Sequence, residues 1–356
     1  MSMLKSLFGK KAPKIVEVAP FGASLEMESN QTVLEAALKQ GLPFPHNCTV
    51  GTCGSCKCKL TEGRVSALSD FGYTLSQQEI QAGYILACQA VPKDPLVRIT
   101  VEAGAVDAAP PEKFTGTLVR AETLTHDIKK ITVELDRPIR FTAGQYANLK
   151  VPGIERARNY SFANAPEREG LKSVDFFVRR VPGGQFTEAL FSGQLDKATV
   201  EFEGPHGHFY LRPNAAAMIC IAGGSGLAPL LSLLEHARRT RVKRPCVMLF
   251  GARTEADLYG IEQIQSIAGA WQDQFVFLPV LSHEPADSAW KGARGLVTQF
   301  IADAIPDIDW ANAEGYMCGP PGMIDAGIAS MTERGIPLDA IHYDKFTDAS
   351  HSAAMP

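Results

Sequence analysis

The chain has 356 residues, enough for two or three domains. Hydrophobic residues make up 45% and charged residues 21%, the balance of a water-soluble globular protein, and a net charge of -4 excludes the strong basic field of a nucleic-acid binder. No apolar run reaches bilayer-spanning length and the N-terminus lacks a secretory h-region, so the cytoplasm or another reducing compartment is the expected location.

At the start, Met3, Leu4, Leu7 and Phe8 alternate with Lys5, Lys10, Lys11 and Lys14. This reads as a short amphipathic helix touching a membrane or an acidic partner, or as a frayed solubilising tail; it is too short to hold the protein on a membrane alone. Residues 15–18 and 24–27 read as a hairpin. Thr32 and Glu35 form a capping box that opens a helix, and Gly41 suits its end. Ser76 and Glu79 repeat the box, and residues 97–101 alternate as a closing strand.

Between these elements lies a cysteine cluster. Cys48-x4-Cys53-x2-Cys56, with Cys88 far downstream, has the plant-type [2Fe–2S] spacing. Three thiolates on one tight loop wrap two irons, and the fourth arrives from a separate segment. Gly51 and Gly54 let the loop turn and bring N–H groups toward sulfur. The rivals are a zinc site, which prefers a second paired knuckle, and reduced core cysteines. Cys58 reads as a small core residue and His46 as a loop histidine. A small sheet, a helix and this loop fit a β-grasp ferredoxin over residues 1–104.

Residues 105–112 are small, Pro-bearing and without periodicity, a linker. From 113 to 213, short strand-like runs at 116–120, 130–134, 145–151, 173–181 and 199–203 predict an antiparallel β-barrel. After 213 the pattern changes. Strands at 217–222, 247–250, 275–281 and 315–318 alternate with helices at 230–238, 257–267, 297–304 and 323–333, which predicts a doubly wound parallel sheet to residue 346. Residues 347–356 read as a flexible tail. The expected fold class is therefore multidomain, α+β followed by α/β.

Arg158-Asn159-Tyr160-Ser161, preceded by Ala143-Gly144-Gln145-Tyr146, resembles the R-x-Y-S motif of the ferredoxin–NADP⁺ reductase superfamily. The resemblance implies FAD, with the arginine on the flavin pyrophosphate, the tyrosine against the isoalloxazine and Ser161 reaching N5. Gly183-Gly184-Gln185-Phe186-Thr187 resembles the second flavin-phosphate contact, although a Gly-Gly hairpin turn would look the same. Gly204-Pro205-His206-Gly207 follows in order, and no role attaches to His206.

Gly223-Gly224-Ser225-Gly226 follows an apolar strand and opens a helix, where a dinucleotide pyrophosphate approaches backbone N–H groups. Cys318-Gly319-Pro320-Pro321 resembles the family's strand end, with the cysteine near the nicotinamide; Cys220 and Cys246 read as buried strand thiols. Arg253 stands where the adenosine ribose is read and leaves NADPH possible, yet Gly251-Ala252-Arg253 with Asp257 resembles NADH users, so NADH is the expected substrate. Tyr343-Asp344-Lys345-Phe346 resembles the segment that places an aromatic or carboxylate beside the flavin. Phe346 is a candidate cover over the isoalloxazine, or simple core packing. Ser161, Cys318 and Phe346 are thus the candidate catalytic residues.

The domain order resembles the reductase components of bacterial multicomponent oxygenases, of the phenol, toluene, methane and benzoate type. It implies an NADH:acceptor oxidoreductase that passes hydride to FAD, then single electrons through the cluster. The acceptor, an oxygenase or another redox protein such as a deoxysugar dehydratase system, would dock near the cysteine loop, where Lys57 and Lys59 add positive charge. A redox-sensing docking protein is the alternative class. The chain is read as a monomer.

Overall fold

The structure is a computed structural model that describes residues 13–46, 48–102, 110–302, 304 and 308–347. The amphipathic start, most of the linker and the last residues lie outside these, so the expectations placed on them are not addressed. Two units separate, Met1–Val106 and Asp107–Pro356.

The first unit holds β1 (Lys14–Ala19), β2 (Ala23–Met27), α1 (Val33–Lys39), β3 (Lys57–Glu62), β4 (Val65–Ala67), α2 (Gln77–Gln81), β5 (Tyr84–Leu86), β6 (Ala90–Pro92) and β7 (Leu96–Val101). Five strands form a sheet in the order β2-β1-β7-β3-β5, and β4 pairs with β6. Both expected capping boxes are present: the Thr32 and Ser76 hydroxyls accept from the Glu35 and Glu79 amides, and the Thr32 and Ser76 amides donate to those carboxylates in return. Val33, Leu34, Ala36 and Ala37 bury the inner face of α1 against Val16, Val18, Ile99 and the cysteine-bearing strands.

The second unit begins with a barrel of β8 (Glu112–Thr123), β9 (Ile128–Ile139), β10 (Tyr146–Lys150), β11 (Arg158–Ser161), β12 (Leu171–Arg179) and β13 (Thr199–His206), with α3 (Gln185–Phe191) between the last two. The order β11-β10-β13-β8-β9-β12 is closed by a bridge from Phe162 to Phe176. Phe162, Phe176 and Phe202 fill the interior.

The parallel sheet then uses β14 (Ala217–Gly223), α4 (Leu227–Arg239), β15 (Cys246–Ala252), α5 (Ile261–Gly269), β16 (Phe275–Leu281), β17 (Ala293–Arg294), β18 (Ala313–Gly319), α6 (Pro321–Glu333) and β19 (Ile341–Lys345). Its order, β17-β16-β15-β14-β18-β19, reverses direction between β14 and β18. That switch point opens a crevice beyond the strand C-termini, where such folds bind dinucleotides. Barrel residues Ala143, Ala163, Phe177 and Phe209 share one core with α4 and β14.

Two expected helices differ. The run at 257–267 starts only at Ile261, because Gly260 sits at φ +69° and Asp257 is spent closing a turn onto Thr254. The run at 297–304 is described only as a 3₁₀ turn, Val297–Phe300.

Candidate functional site

The cysteine loop joins α1 to β3 and is held from both sides. Gly51 has φ +83°, and a Cβ there would lie 2.8 Å from the Gln89 side chain. The Thr74 hydroxyl donates to the Gly51 carbonyl. Backbone amides of Thr52 and Cys53 point at Cys48 Sγ, both at 3.3 Å, and the Cys88 amide points at Cys56 Sγ at 3.5 Å. Gln89 Nε2 donates to Cys88 Sγ at 3.6 Å.

The four sulfurs fall into two pairs. As free thiols, Cys53 hydrogen-bonds to Cys48 and draws it down to about 4, and Cys56 draws Cys88 down to about 7. The donors Cys53 and Cys56 are pushed up, first by that bond and then by burial. Among the described residues, no three cysteines bring their sulfurs within 4.8 Å of one another. A single tetrahedral zinc needs all four sulfurs around one centre. Two dithiolate pairs fit two irons. Cys58, buried on β3, stands outside both pairs.

On β11, Ser161 lies opposite Tyr146 and Arg158 opposite Leu149. Arg158 and Tyr160 share a face, by strand alternation. The Arg158 guanidinium donates to the carbonyls of Arg156 and Ala157, at 3.0 and 3.1 Å, and stays half-exposed. Asn159 is exposed, and the half-buried Tyr160 ring stands 5.4 Å from Phe186. Ser161 is buried, 6% exposed, on the strand face opposite Arg158 and Tyr160. A guanidinium, a half-buried ring and a buried hydroxyl suit a flavin. At the start of α3, Gly183 has φ +73° and open space around it, and Gln185 is exposed. The Thr187 hydroxyl is occupied with Val181, and the Gly184 amide donates to the Val181 carbonyl at 2.9 Å.

At the switch point, the glycines allow close approach. A Cβ on Gly226 would lie 2.1 Å from the Cys318 carbonyl, and one on Gly223 would lie 2.7 Å from Met323 Sδ. Gly224 has φ +55° and faces open space. Tyr259, buried between Phe177 and Phe250, donates to the Gly224 carbonyl at 2.8 Å. Cys318 is fully buried, and burial pushes its thiol well up, so it stays protonated. The Phe346 amide donates to the Gly319 carbonyl at 2.8 Å, which ties that ring's backbone to the Cys318 strand end. Asp344 pairs with Cys318 in register, and burial raises its carboxyl to about 7. Ser225 and Pro320 flank the same crevice, on either side of the switch. Cys220 and Cys246 are buried in strands as expected.

Arg253 lies at the end of β15, its Nη2 3.0 Å from Asp127 Oδ2. Sequence reasoning missed Asp127 and Tyr259. Each acts on a partner distant in sequence, and neither lies in a motif.

Three family models match in order: a 2Fe-2S iron-sulfur cluster binding domain over residues 16–93, an oxidoreductase FAD-binding domain over 115–210 and an oxidoreductase NAD-binding domain over 220–327. The chain is 37% identical to the xylene/toluene monooxygenase electron transfer component of Pseudomonas putida, covering 96% of each. It is 36% identical to the phenol 2-monooxygenase reductase component of Pseudomonas sp. strain CF600, covering 95% of this chain and 96% of that one. Among solved structures, the Amycolatopsis cytochrome P450 reductase superposes with a TM-score of 0.70 at 35% identity, covering 94% of this chain and 99% of the other. With its paired cysteines, flavin strand and nicotinamide switch point, the chain belongs to the family of NADH-oxidising, FAD- and [2Fe–2S]-dependent electron-transfer reductase components of oxygenases.

Proposed function

We propose that this reductase takes hydride from NADH at the β14/β18 switch point and delivers single electrons through the cysteine-loop cluster to an oxygenase component docked on that loop. Bound flavin converts a two-electron donor into one-electron steps, and the cluster relays them. The chain's own residues bind and orient. Arg158, with Asn159 and Tyr160 beside it, would grip the flavin, and the turn of Gly183, Gly184 and Gln185, with the Gly184 amide tied to the Val181 carbonyl, would admit its phosphates. Thr187 fixes that turn. Ser161 offers its hydroxyl to N5. Gly223, Gly224, Ser225 and Gly226 would admit the NADH pyrophosphate, Cys318 with Gly319 and Pro320 would border the nicotinamide, and Phe346, partly buried against the shared core, would cover the flavin.

The observation that carries this reading is the division of four cysteines into two dithiolate pairs, with Cys48 and Cys53 only half-buried. Val50, between them, is 63% exposed. Exposed Leu68 and Tyr73 each precede a residue, Ser69 and Thr74, that reaches Gly51. Lys57 is paired with buried Glu79 at 2.8 Å, which offsets its charge, while Lys59 stays exposed beside the Tyr84 ring. An apolar contact around the loop is therefore the docking face.

The test is an anaerobic visible spectrum before and after one equivalent of NADH, with NADPH in parallel. Flavin and iron–sulfur bands should bleach together. Flavin bleaching without any cluster signal, in protein holding its full iron, would refute internal transfer.

A further inference from the structure

A doubly wound sheet reads the adenosine ribose at the end of its second strand. Here that position carries Arg253, the residue type that would hold a ribose 2′-phosphate. Its guanidinium is already engaged. Nη2 donates to Oδ2 of Asp127 at 3.0 Å, and Asp127 belongs to the flavin barrel, in the turn between β8 and β9.

The carboxylate is the fixed member of this pair. The Thr125 hydroxyl donates to Asp127 Oδ1 at 3.1 Å, and the Arg180 amide donates to the Asp127 carbonyl at 2.7 Å. Arg179 Nε donates to the same Oδ2 at 3.2 Å. The Asp127 side chain is 17% exposed, against 51% for Arg253. Arg253 is thus drawn onto a carboxylate that the barrel holds still.

Further carboxylates stand nearby, with Arg294 beside them. Asp257 lies beside His126, and the ligand atoms of His126, Asp127 and Asp257 fall within 4.8 Å of one another. Glu284 accepts from the Glu255 amide at 2.7 Å. A 2′-phosphate arriving here meets carboxylates and two arginines, Arg179 and Arg253, already paired with Asp127. A 2′-hydroxyl meets acceptors to which it can donate.

We propose that Asp127 is a specificity-determining residue: by holding Arg253 and setting a carboxylate at the end of β15, it excludes NADPH and admits NADH. The negative charge that selects a ribose hydroxyl comes from the flavin barrel, not from the second strand itself. This rests on the reading above that the nucleotide enters at the C-terminal ends of β14 and β15.

The holoenzyme and two variants, Asp127→Asn and Asp127→Asn with Arg253→Ala, test it. Titration calorimetry compares 2′,5′-ADP with 5′-ADP, and initial rates compare NADPH with NADH. Ratios are read because both nucleotides report on the same folded fraction. In Asp127→Asn the affinity ratio of 2′,5′-ADP to 5′-ADP should rise about 10-fold, the size of one charge-assisted contact, and kcat/KM for NADPH over NADH should rise with it. The double variant should lose that gain. Equal losses for both nucleotides in Asp127→Asn, or a gain that survives without Arg253, would overturn the proposal. A wild-type protein that prefers NADPH would remove the nucleotide reading as well. An NADH-preferring wild type whose ratio does not move in Asp127→Asn would remove the role of Asp127 alone.

Discussion

A methyl group on Gly226 has nowhere to go. Its carbon would sit 2.1 Å from the Cys318 carbonyl oxygen and 2.8 Å from the Gly319 amide, both backbone atoms that no rotamer change can move. Gly226→Ala must therefore separate the start of α4 from the end of β18, where the nicotinamide is proposed to sit. The expected result is at least a 10-fold weaker saturation by NADH in anaerobic flavin-reduction kinetics, with flavin and cluster absorbance retained. Unchanged saturation would mean that the two strand ends do not border the nucleotide. Gly224→Ala differs in kind, since space around Gly224 is open and its cost is the positive φ. At this scale the sequence was legible where spacing marks a domain, as the cysteine spacing does for the 2Fe-2S domain over residues 16–93. It was not legible for Asp127, whose bond to Arg253 spans 126 positions, or for Tyr259, whose hydroxyl steadies Gly224 from beyond the next strand. Such pairs follow from the packing of barrel on sheet, which no local pattern encodes.

Among the elements, β18 begins with a buried ion pair. Glu314 accepts from Arg244 Nη2 at 2.8 Å and from the Tyr316 hydroxyl at 2.6 Å, with Asn214 and His342 beside it. Burial alone would raise the Glu314 carboxyl, but the neighbouring His342 ring and hydrogen bonds from Arg244, Tyr316 and Asn214 together hold it down at about 2. The folded value is below the unfolded one. The stabilisation is therefore present above about pH 4.5 and is lost as pH falls toward 2. Glu314→Gln should remove that acid-side dependence in denaturant titrations. It should also cost roughly 3–5 kcal/mol at neutral pH, because Arg244 is 1% exposed and would keep an uncompensated charge. Stability within 1 kcal/mol of wild type would show that the guanidinium finds other acceptors. Element existence was legible for the long apolar strands and for both capping boxes, where burial and local hydrogen bonding point the same way. Short strands such as β4, β6 and β17, two or three residues each, lie below any periodicity signal. The start of α5 depended on one left-handed glycine inside an otherwise helical stretch.

In the whole molecule, the cluster pairs belong to a core of their own. Cys56, Cys58 and Cys88 are buried with Val16, Leu34, Phe44, Ile85 and Ile99, all within the first unit. The flavin barrel and the parallel sheet instead share residues such as Ala163, Phe177 and Phe209 with α4 and β14, and Ser232 on α4 donates to the Asn164 carbonyl of the barrel at 2.8 Å. Iron binding is folding free energy only for the unit whose thiolates it joins. Two of the four proposed ligands, Cys48 and Cys53, sit on a loop where they are only half-buried, so a bound cluster would supply much of that loop's order. Removing iron with a chelator under reducing conditions should lower the calorimetric transition of the first unit by roughly 10 °C, the shift expected when a domain of this size loses about 2 kcal/mol. The transition that tracks flavin release should not move. If both transitions fell together on iron removal, the cluster would be stabilising the flavin and nicotinamide unit as well, and the separation of cores would not describe how this reductase unfolds.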